Sequence, residues 1–458
     1  MNLEMSSSLG SGSHRQRDIR RFWWLCAALL IVPLGSLAQE LLHPFFVHSP
    51  ISVPFDFSAY YQAGKLARKG QLLYYFPPNG TPKSFLRLRI DDATPYGTTS
   101  ASEGITDPPL LVPYVTPPFV ALLMEPFSYV SWQTAFSIWR IVSALACFAA
   151  VFFSVKIATG GEESRFAGVA VAMGAFSAFF PFKVQIEMGQ IDCVILLAWT
   201  LGTWLYLRDR PVASSLCYAV GTAIKVSPVF VVPLMLMRRQ WRWLAYYMLW
   251  SAAFLGVSIW SLGWQNHVLW LTKVSPLLSC GAEHFENRSL PGLVMGICSP
   301  NLLLGLPVVP AGICPFNKGL SALVYSGFLW WCWRKRKGAD GLNHELVIMT
   351  AVSLLVSPVS WPQHYVLAVL PLTYLWVKTL RDRIISTKLE IGLLSAVTLI
   401  LGTSLPEYFG PEIGTLFMLT VMCLWVAATL GLIWLGLRMY DRCVASLRAT
   451  QSGVPPCF

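Results

Sequence analysis

Long apolar blocks separated by short polar or basic segments dominate this sequence, and most blocks are long enough to cross a membrane as a helix. Hydrophobic residues make up 55% of the 458 residues and charged residues only 12%, about half the charged fraction of a soluble chain. The pattern predicts an all-α, multi-pass integral membrane protein. About twelve spans are predicted, at 22–42, 133–157, 166–182, 190–207, 211–223, 226–237, 243–262, 319–334, 344–358, 362–380, 389–404 and 413–437.

The net charge of +11 comes from basic residues that cluster beside the apolar blocks. This distribution is a topology signal, whereas a nucleic-acid-binding protein concentrates positive charge on one soluble face, so no nucleic-acid partner is expected. The positive-inside rule places these clusters and both termini on the cytoplasmic side, provided that 211–237 is a hairpin that enters the membrane and returns. The clusters are Arg15–Arg21, Arg208/Arg210, Arg238/Arg239/Arg242, Arg334–Lys337, Lys378–Arg383 and Arg438/Arg442.

This orientation divides the chain into three parts, which are a basic cytoplasmic tail at 1–21, a membrane domain at 22–437 and a cytoplasmic tail at 438–458. The outer, periplasmic or extracellular, face of the cytoplasmic membrane then carries the remaining segments, which are the loops 43–132 and 263–318 and the short turn Ser357–His364. Because the other loops are short, we expect a polar site on the outer face.

The two long outer loops differ in character. The first contains an interfacial helix predicted at 57–69 and an apolar piece at 117–130 that is too short to span the bilayer. Asp91-Asp92 is a paired carboxylate between them, in a Pro/Gly/Ser/Thr-rich stretch, and is a weak candidate for catalysis or metal binding. The second loop contains three cysteines that could form a disulfide without the sequence selecting the pair, namely Cys280, Cys298 and Cys314.

Three ionisable residues beside apolar segments are candidate functional residues, because charges there are costly. Asp56 precedes the predicted interfacial helix, where it caps the helix, acts as a base at the membrane boundary, or does both. His364 begins a span at the outer face and is either a hydrogen-bonding interfacial residue or a group that contacts phosphate or passes a proton. Lys225 interrupts the predicted hairpin, and its partner is either a phosphate oxyanion or a neighbouring carboxylate, Asp192 or Glu187.

Further polar residues border the same face. Gly189-Gln190-Ile191-Asp192 opens a span, which indicates a close-packed polar turn. The segment Glu283–Ser289, which includes Asn287 and Arg288, supplies groups that suit a sugar but is equally typical of a surface loop. Tyr60 lies one helical turn after Asp56 and is a candidate for binding polar ligand groups.

Several of these motifs, taken in chain order from about 55 to 375, resemble glycosyltransferase family 87. This family comprises polyprenyl-phosphate-sugar-dependent transferases with the GT-C membrane fold, a multi-pass helical bundle with interfacial helices on its outer loops. The motifs are Asp56-Phe57-Ser58-Ala59-Tyr60 with Gly64, Tyr114-Val115-Thr116-Pro117-Pro118-Phe119 with Pro126, Trp139, Gly189-Gln190-Ile191-Asp192, Ala223-Ile224-Lys225-Val226-Ser227-Pro228, Asn287-Arg288-Ser289-Leu290, and Ser357-Pro358-Val359-Ser360-Trp361 with His364. No single motif is diagnostic, and their order and spacing carry the resemblance.

The resemblance implies a polyprenyl-phosphate-linked hexose as donor, with mannose favoured, and a hydroxyl of a glycolipid or glycan as acceptor. It implies that Asp56 is the general base and that His364 supports the site. Sugar or phosphate would be bound by Lys225, Arg288, Gln190, Asp192, Asn287 and Tyr60. A single displacement through an oxocarbenium-like transition state would invert the anomeric centre. No acidic pair stands where a nucleotide-sugar enzyme holds its metal, so we expect neither a metal nor a cofactor.

The chain departs from the family pattern at Asp192, where the family tends to have Asn, and at Arg288, where it tends to have Gln. Both differences bear on substrate identity more than on reaction type. A transporter or flippase for lipid-linked sugars would explain the spans and Lys225 equally well, but neither Asp56 at the opening of a long outer loop nor His364 at the facing end. A GT-C enzyme that moves oligosaccharide to protein or lipid A would carry an acidic pair where this chain has a lone Asp followed by Phe57.

Overall fold

The computed structural model describes residues 55–74, 114–160, 175–279, 281, 286–298, 312–335, 341–382, 387–403 and 415–451. Within these ranges the regular structure is helical, which confirms the predicted all-α class for this part of the chain. Outside the described residues lie the predicted tail 1–21, the span 22–42, most of the span 166–182, and the candidates Asp91 and Asp92.

The α-helices follow the apolar blocks of the sequence. In chain order they are α1 Phe55–Arg68, α2 Pro118–Met124, α3 Trp132–Ala158, α4 Phe180–Met188, α5 Asp192–Leu207, α6 Pro211–Ile224, α7 Val231–Met237, α8 Trp241–Leu262, α9 Trp264–Leu269, α10 Ser275–Leu278, α11 Leu290–Cys298, α12 Ile313–Arg334, α13 Leu342–Val356, α14 Val369–Asp382, α15 Lys388–Gly402 and α16 Thr415–Gln451. Tighter 3-10 segments at Glu125–Tyr129, Ser227–Phe230 and Pro362–Ala368 and a π segment at Trp270–Val274 connect some of them.

Three helices in the described part of the chain are long and apolar enough to cross a membrane, at Trp132–Ala158, Trp241–Leu262 and Leu416–Cys443. Other helices are apolar but shorter, at Asp192–Leu207, Pro211–Ile224, Ser227–Met237 and Leu342–Val356. Their positions agree with the predicted spans to within a few residues. Because short helices do not cross a bilayer by length alone, the number of about twelve crossings stays a prediction.

Helices α5, α6 and α8 run side by side with α3 against a continuous apolar core. The chain reverses after α5 and after α7 at two residues with left-handed backbone, Asp209 at φ 52° and Arg239 at φ 56°. Trp243, at the start of α8, donates a hydrogen bond of 2.9 Å to Ser214 at the start of α6. The basic turns at 208–210 and 238–240 therefore lie at the same end of the bundle, as the predicted 211–237 hairpin requires.

The hairpin is interrupted at Lys225. Helix α6 ends there because Lys225 adopts an extended backbone, with φ −150° and ψ 131°. Pro228 follows within a 3-10 segment, and proline has no amide hydrogen with which to continue an α-helical ladder. The chain then resumes as α7, so the break leaves a lysine side chain at the tip of the hairpin.

Polar contacts join several helix ends at the end of the bundle that carries the basic turns. Arg238 forms an ion pair with Glu345, which is fully buried. Lys335 Nζ lies 2.7 Å from Asp441 Oδ1 at the surface. Helix α5 has 16 residues and is therefore about 24 Å long. Its first residue, Asp192, lies at the opposite end of the bundle from these contacts.

Helices α1 and α2 form a small layer that packs on this opposite end. Gly64 allows a close approach between them, since a Cβ at this position would lie 2.5 Å from the carbonyl oxygen of Met124. The Tyr61 hydroxyl donates a hydrogen bond of 2.8 Å to the carbonyl of Val130. The apolar piece predicted at 117–130 forms α2 and one 3-10 segment, both too short to span a membrane, as predicted.

The second long loop takes part in a disulfide bond. Cys314 is disulfide-bonded, whereas Cys298 is an exposed free thiol. This finding removes Cys298 from the pairs that the sequence left open, and Cys280 lies outside the described residues.

Candidate active site

Asp56 lies in the first turn of α1 rather than ahead of the helix. The sequence predicted a helix from Phe57 with Asp56 as a possible cap, but α1 begins at Phe55 and takes Asp56 into its first turn. An N-cap residue stands outside the helix with non-helical backbone, whereas Asp56 lies inside the first turn of α1, so Asp56 is not the cap of this helix. A carboxylate in this position still interacts favourably with the helix dipole, and the residue itself is only partly buried.

A glycine turn presses against α1 next to this carboxylate. Gly189 ends α4 with φ 66°, and a Cβ at this position would lie only 2.6 Å from Phe57 Cβ. The Trp139 indole donates a hydrogen bond of 2.8 Å to the Gly189 carbonyl and holds the turn from the other side. The polar close-packed turn predicted from Gly189-Gln190 is confirmed, and its tightness places Gln190 beside α1.

Gln190 connects Tyr60 to Asp56. The Tyr60 hydroxyl donates to Gln190 Oε1 at 2.8 Å, and both side chains are buried. The Gln190 side chain also hydrogen-bonds the Asp56 carboxylate. Because an ionised carboxylate only accepts hydrogen bonds, the Gln190 amide nitrogen is the donor in this contact.

The surroundings of Asp56 make its carboxyl group a weaker acid. Burial raises the pKa of Asp56 from 3.8 to about 6, while the Gln190 hydrogen bond and the Lys225 charge act in the opposite direction. The negative charges of Asp192 and Glu286 add smaller upward shifts to the pKa. Asp56 is therefore ionised at neutral pH and basic enough to accept a proton during a reaction.

Lys225 pairs with Asp192 across the ends of two antiparallel helices. Its Nζ atom lies 2.7 Å from Asp192 Oδ1, where the Asp192 side chain is fully buried and the Lys225 side chain is 26% exposed. The alternative that the sequence left open, a protein carboxylate as partner of Lys225, is therefore realised. Glu187, the other carboxylate considered, is exposed on α4.

His364 faces the same carboxylate from the 3-10 segment Pro362–Ala368. Its Nδ1 atom accepts a hydrogen bond of 3.2 Å from the Trp361 amide, so the neutral ring carries its proton on Nε2. Nε2 lies 3.8 Å from Asp192 Oδ2. The predicted residues Asp56, Gln190, Lys225, Asp192 and His364 are thus brought together at one end of the bundle.

Asn287 is engaged in joining two loops. Its amide donates a hydrogen bond of 2.9 Å to the Pro358 carbonyl. Its Oδ1 atom accepts from the Ser360 amide at 3.0 Å and from the Ser289 hydroxyl at 2.8 Å. The side chain therefore fixes the turn that precedes His364, and the sugar-binding role predicted for Asn287 rests on the sequence alone.

Arg288 extends toward the C-terminal helix. Its guanidinium lies 5.6 Å from the centroid of the Trp425 ring of α16, and its backbone carbonyl accepts a hydrogen bond of 2.8 Å from Tyr365. This cation–π contact holds the side chain against α16. The predicted role of Arg288 in binding the donor phosphate likewise rests on the sequence alone.

Glu286 lies near Asp56 and belongs to the segment Glu283–Ser289, for which the sequence left open a sugar-binding role and a surface loop. It is partly buried, which raises the pKa of its carboxyl group, and its charge acts on Asp56. Its neighbours Asn287 to Ser289 are buried, so this end of the segment packs into the protein and is not a surface loop. Among the described residues, no group of three or more His, Cys, Asp or Glu side chains is arranged to hold a metal ion.

Comparison with known proteins identifies relatives of this chain. The profile of glycosyltransferase family 87 matches residues 114–358. A polyprenol-phosphate-mannose-dependent alpha-(1-2)-phosphatidylinositol pentamannoside mannosyltransferase of Mycobacterium tuberculosis (strain CDC 1551 / Oshkosh) is 25% identical over 303 residues, which cover 64% of this chain and 66% of the relative. The protein of the same name from Mycolicibacterium smegmatis (strain ATCC 700084 / mc(2)155) is 24% identical over 265 residues, 57% of this chain and 60% of the relative. The matches thus span slightly less than two thirds of each relative.

Proposed function

Because this chain belongs to glycosyltransferase family 87, whose profile covers residues 114–358, we propose that it is a membrane glycosyltransferase that uses a polyprenyl-phosphate-linked hexose as donor. The acceptor is a hydroxyl of a glycolipid or glycan. Mannose is the proposed sugar, on the ground that the two relatives are by name polyprenol-phosphate-mannose-dependent. One observation carries the proposal beyond the family: Gln190 joins the Asp56 carboxylate to the turn that leads into the buried Asp192, and Asp192 pairs with Lys225 at the tip of the neighbouring hairpin.

In the proposed reaction Asp56 is the general base. An acceptor hydroxyl is a poor nucleophile until its proton is removed, so the Asp56 carboxylate takes the proton as the oxygen attacks the anomeric carbon. The bond from that carbon to the phosphate oxygen breaks at the same time, and the polyprenyl phosphate leaves with the electron pair. A single displacement inverts the anomeric centre. The Gln190 amide orients the carboxylate for this step.

The leaving phosphate requires positive charge but no general acid, because it departs as a phosphomonoester dianion whose conjugate acid has a pKa of about 6. Lys225, which pairs with Asp192, is partly exposed and is the cation proposed to stabilise the charge of the leaving phosphate. His364 carries its proton on Nε2, on the side of Asp192, and is proposed to donate a hydrogen bond to the leaving phosphate. Because these groups neutralise the leaving group, the proposed reaction needs no metal, and transfer is expected to continue in the presence of EDTA.

The proposed site faces the outer side of a bacterial cytoplasmic membrane, with both termini in the cytoplasm. Two observations support this orientation. The basic turns lie at the opposite end of the bundle from Asp192, and basic loops are retained in the cytoplasm. Cys314 is disulfide-bonded, and disulfides persist in oxidising compartments such as the periplasm.

A transfer assay tests this function against the alternative of a transporter for lipid-linked sugars. Purified full-length protein in detergent is given polyprenyl-phosphate mannose labelled in the sugar, together with a bacterial lipid extract. The proposal predicts label in a new lipid or glycan product and the appearance of unlabelled polyprenyl phosphate. If the label stays on the donor in detergent, while the protein moves labelled donor between the leaflets of liposomes, the transporter alternative is correct.

A further inference from the structure

The ion pair between Lys225 and Asp192 has two unequal sides. Asp192 is fully buried and lies 2.7 Å from Lys225 Nζ through its Oδ1 atom. Its Oδ2 atom makes no hydrogen bond with any of the described residues and lies 3.8 Å from His364 Nε2. Lys225 is 26% exposed. One side of the ammonium therefore faces a fixed internal carboxylate, and the other side is open to a ligand.

A fixed carboxylate at this place changes how the site holds phosphate. The donor of the proposed reaction is a phosphodiester with one negative charge. The product is a phosphomonoester, which carries a charge of about −1.5 to −2 at neutral pH. A lone ammonium would hold the product more tightly than the donor, and the product would then inhibit the enzyme. A carboxylate in contact with the ammonium repels the second charge of the product and weakens that preference.

We propose that Asp192 is a positioning residue that anchors Lys225 and, as a built-in competitor for its ammonium, promotes release of the polyprenyl phosphate product. The inference rests on the proposed function for the identity of the product. The internal pair re-forms as the phosphate departs, because the buried carboxylate is otherwise left without a counter-ion, which is costly. Other charged or titratable groups near this site are Asp56, Glu286, Tyr60 and His364.

Binding of a short lipid phosphate tests this inference without turnover. The probe is farnesyl phosphate, with farnesol as the phosphate-free control, titrated against the purified protein in detergent. Asp192→Asn preserves the size of the side chain and an oxygen that accepts from Lys225 Nζ, but removes the charge. We expect it to bind farnesyl phosphate about tenfold more tightly than the wild type, with farnesol binding unchanged.

Three variants complete the test. Lys225→Met should weaken farnesyl phosphate binding, and Asp192→Asn with Lys225→Met should bind as weakly as Lys225→Met alone, because no ammonium then remains to be freed by the loss of the carboxylate charge. Asp192→Ser removes the charge with a smaller side chain and replaces Asp192→Asn if the latter does not fold. Equal or weaker binding of farnesyl phosphate by both Asp192 variants would show that Asp192 only supports Lys225, and would overturn the inference.

A pH profile separates the effect of the Asp192 charge from a structural effect. The Asp192 charge raises the pKa of Asp56, so its removal should move the acidic limb of the transfer rate to lower pH. A structural defect would lower the rate at all pH values without moving the limb, and would count against the inference. If the wild type transfers no sugar but the binding results hold, the proposed function fails and the anion site remains.

Discussion

The hydroxyl of Tyr60 lies 2.8 Å from Gln190 Oε1, and this contact turns the Gln190 amide nitrogen toward Asp56. Tyr60 and Asp56 share the first turns of α1, whereas Gln190 belongs to the turn between α4 and α5. The hydrogen bond therefore joins the helix that carries the proposed base to the turn that leads into Asp192. The orientation of the Asp56 carboxylate depends on it.

Removal of the Tyr60 hydroxyl tests this dependence. Tyr60→Phe should lower kcat about tenfold with little change in the KM for the donor, because the base loses its orientation while the donor contacts remain. Tyr61→Phe is a matched control, since the neighbouring hydroxyl donates to the Val130 carbonyl, away from the site. Equal loss of activity in both variants would show that the Tyr60 contact has no special role.

The acidity of Asp56 predicts a pH dependence. A general base works in its deprotonated form, and the pKa of Asp56 is raised to about 6. The value of kcat/KM, which reports the pKa of the base in the free enzyme, should therefore fall about tenfold per pH unit below that pH and be level above it. In Gln190→Leu the downward shift from the Gln190 hydrogen bond is lost, so the acidic limb should move to higher pH. A rate that stays level down to pH of about 4.5 would contradict the assignment of Asp56.

The close packing of the left-handed turn at Gly189 predicts a loss of stability when alanine replaces this glycine. Gly189→Ala places a methyl group 2.6 Å from Phe57 Cβ and 2.9 Å from the Phe136 ring, in addition to backbone strain at φ 66°. Gly70→Ala is the control, because φ is 64° there but no atom lies within 4 Å of the added methyl group. We expect a loss of about 1 kcal/mol in the control from backbone strain and about 2–4 kcal/mol in Gly189→Ala. Thermal melting in detergent measures both, and equal melting temperatures would contradict the described packing of this turn on α1.

Local signals in the sequence predicted much of this architecture. Apolar blocks located the helices, because each block must bury or face lipid along its whole length. Asp56, Lys225 and His364 were candidates because an ionisable side chain beside an apolar block is energetically costly. The partner of Lys225 was left open, because it depends on the register between α5 and α6, which is visible in the structure from the hydrogen bond of Ser214 to the Gly202 carbonyl.

Long-range contacts account for what the sequence did not predict. Arg288 stacks on Trp425, which lies far along the chain in α16, and no local pattern connects the two. Asn287 joins its own loop to the turn at Pro358 and Ser360, so its role depends on a contact between distant loops. The start of α1 at Phe55 was also missed, because helix boundaries depend on packing as well as on capping residues.

The most direct measurement for the central claim is the transfer rate of Asp56→Asn with labelled polyprenyl-phosphate mannose. Asn keeps the size of the side chain but cannot take the proton from the hydroxyl of the sugar acceptor. The rate should therefore fall about 10²–10⁴-fold. The pKa of Asp56 is raised to about 6 in the folded protein, so ionisation of Asp56 lowers the stability of the fold as the pH rises from about 4 to about 6. Because Asn carries no charge, the variant should melt at a temperature no lower than that of the wild type.

Asp209→Asn is the matched control. It makes the same chemical change at an exposed residue with φ 52°, which Asn tolerates, just beyond the other end of α5. This variant should transfer sugar at the wild-type rate. A folded Asp56→Asn protein that also transfers at the wild-type rate would contradict the account, because Asp56 would then not be the base.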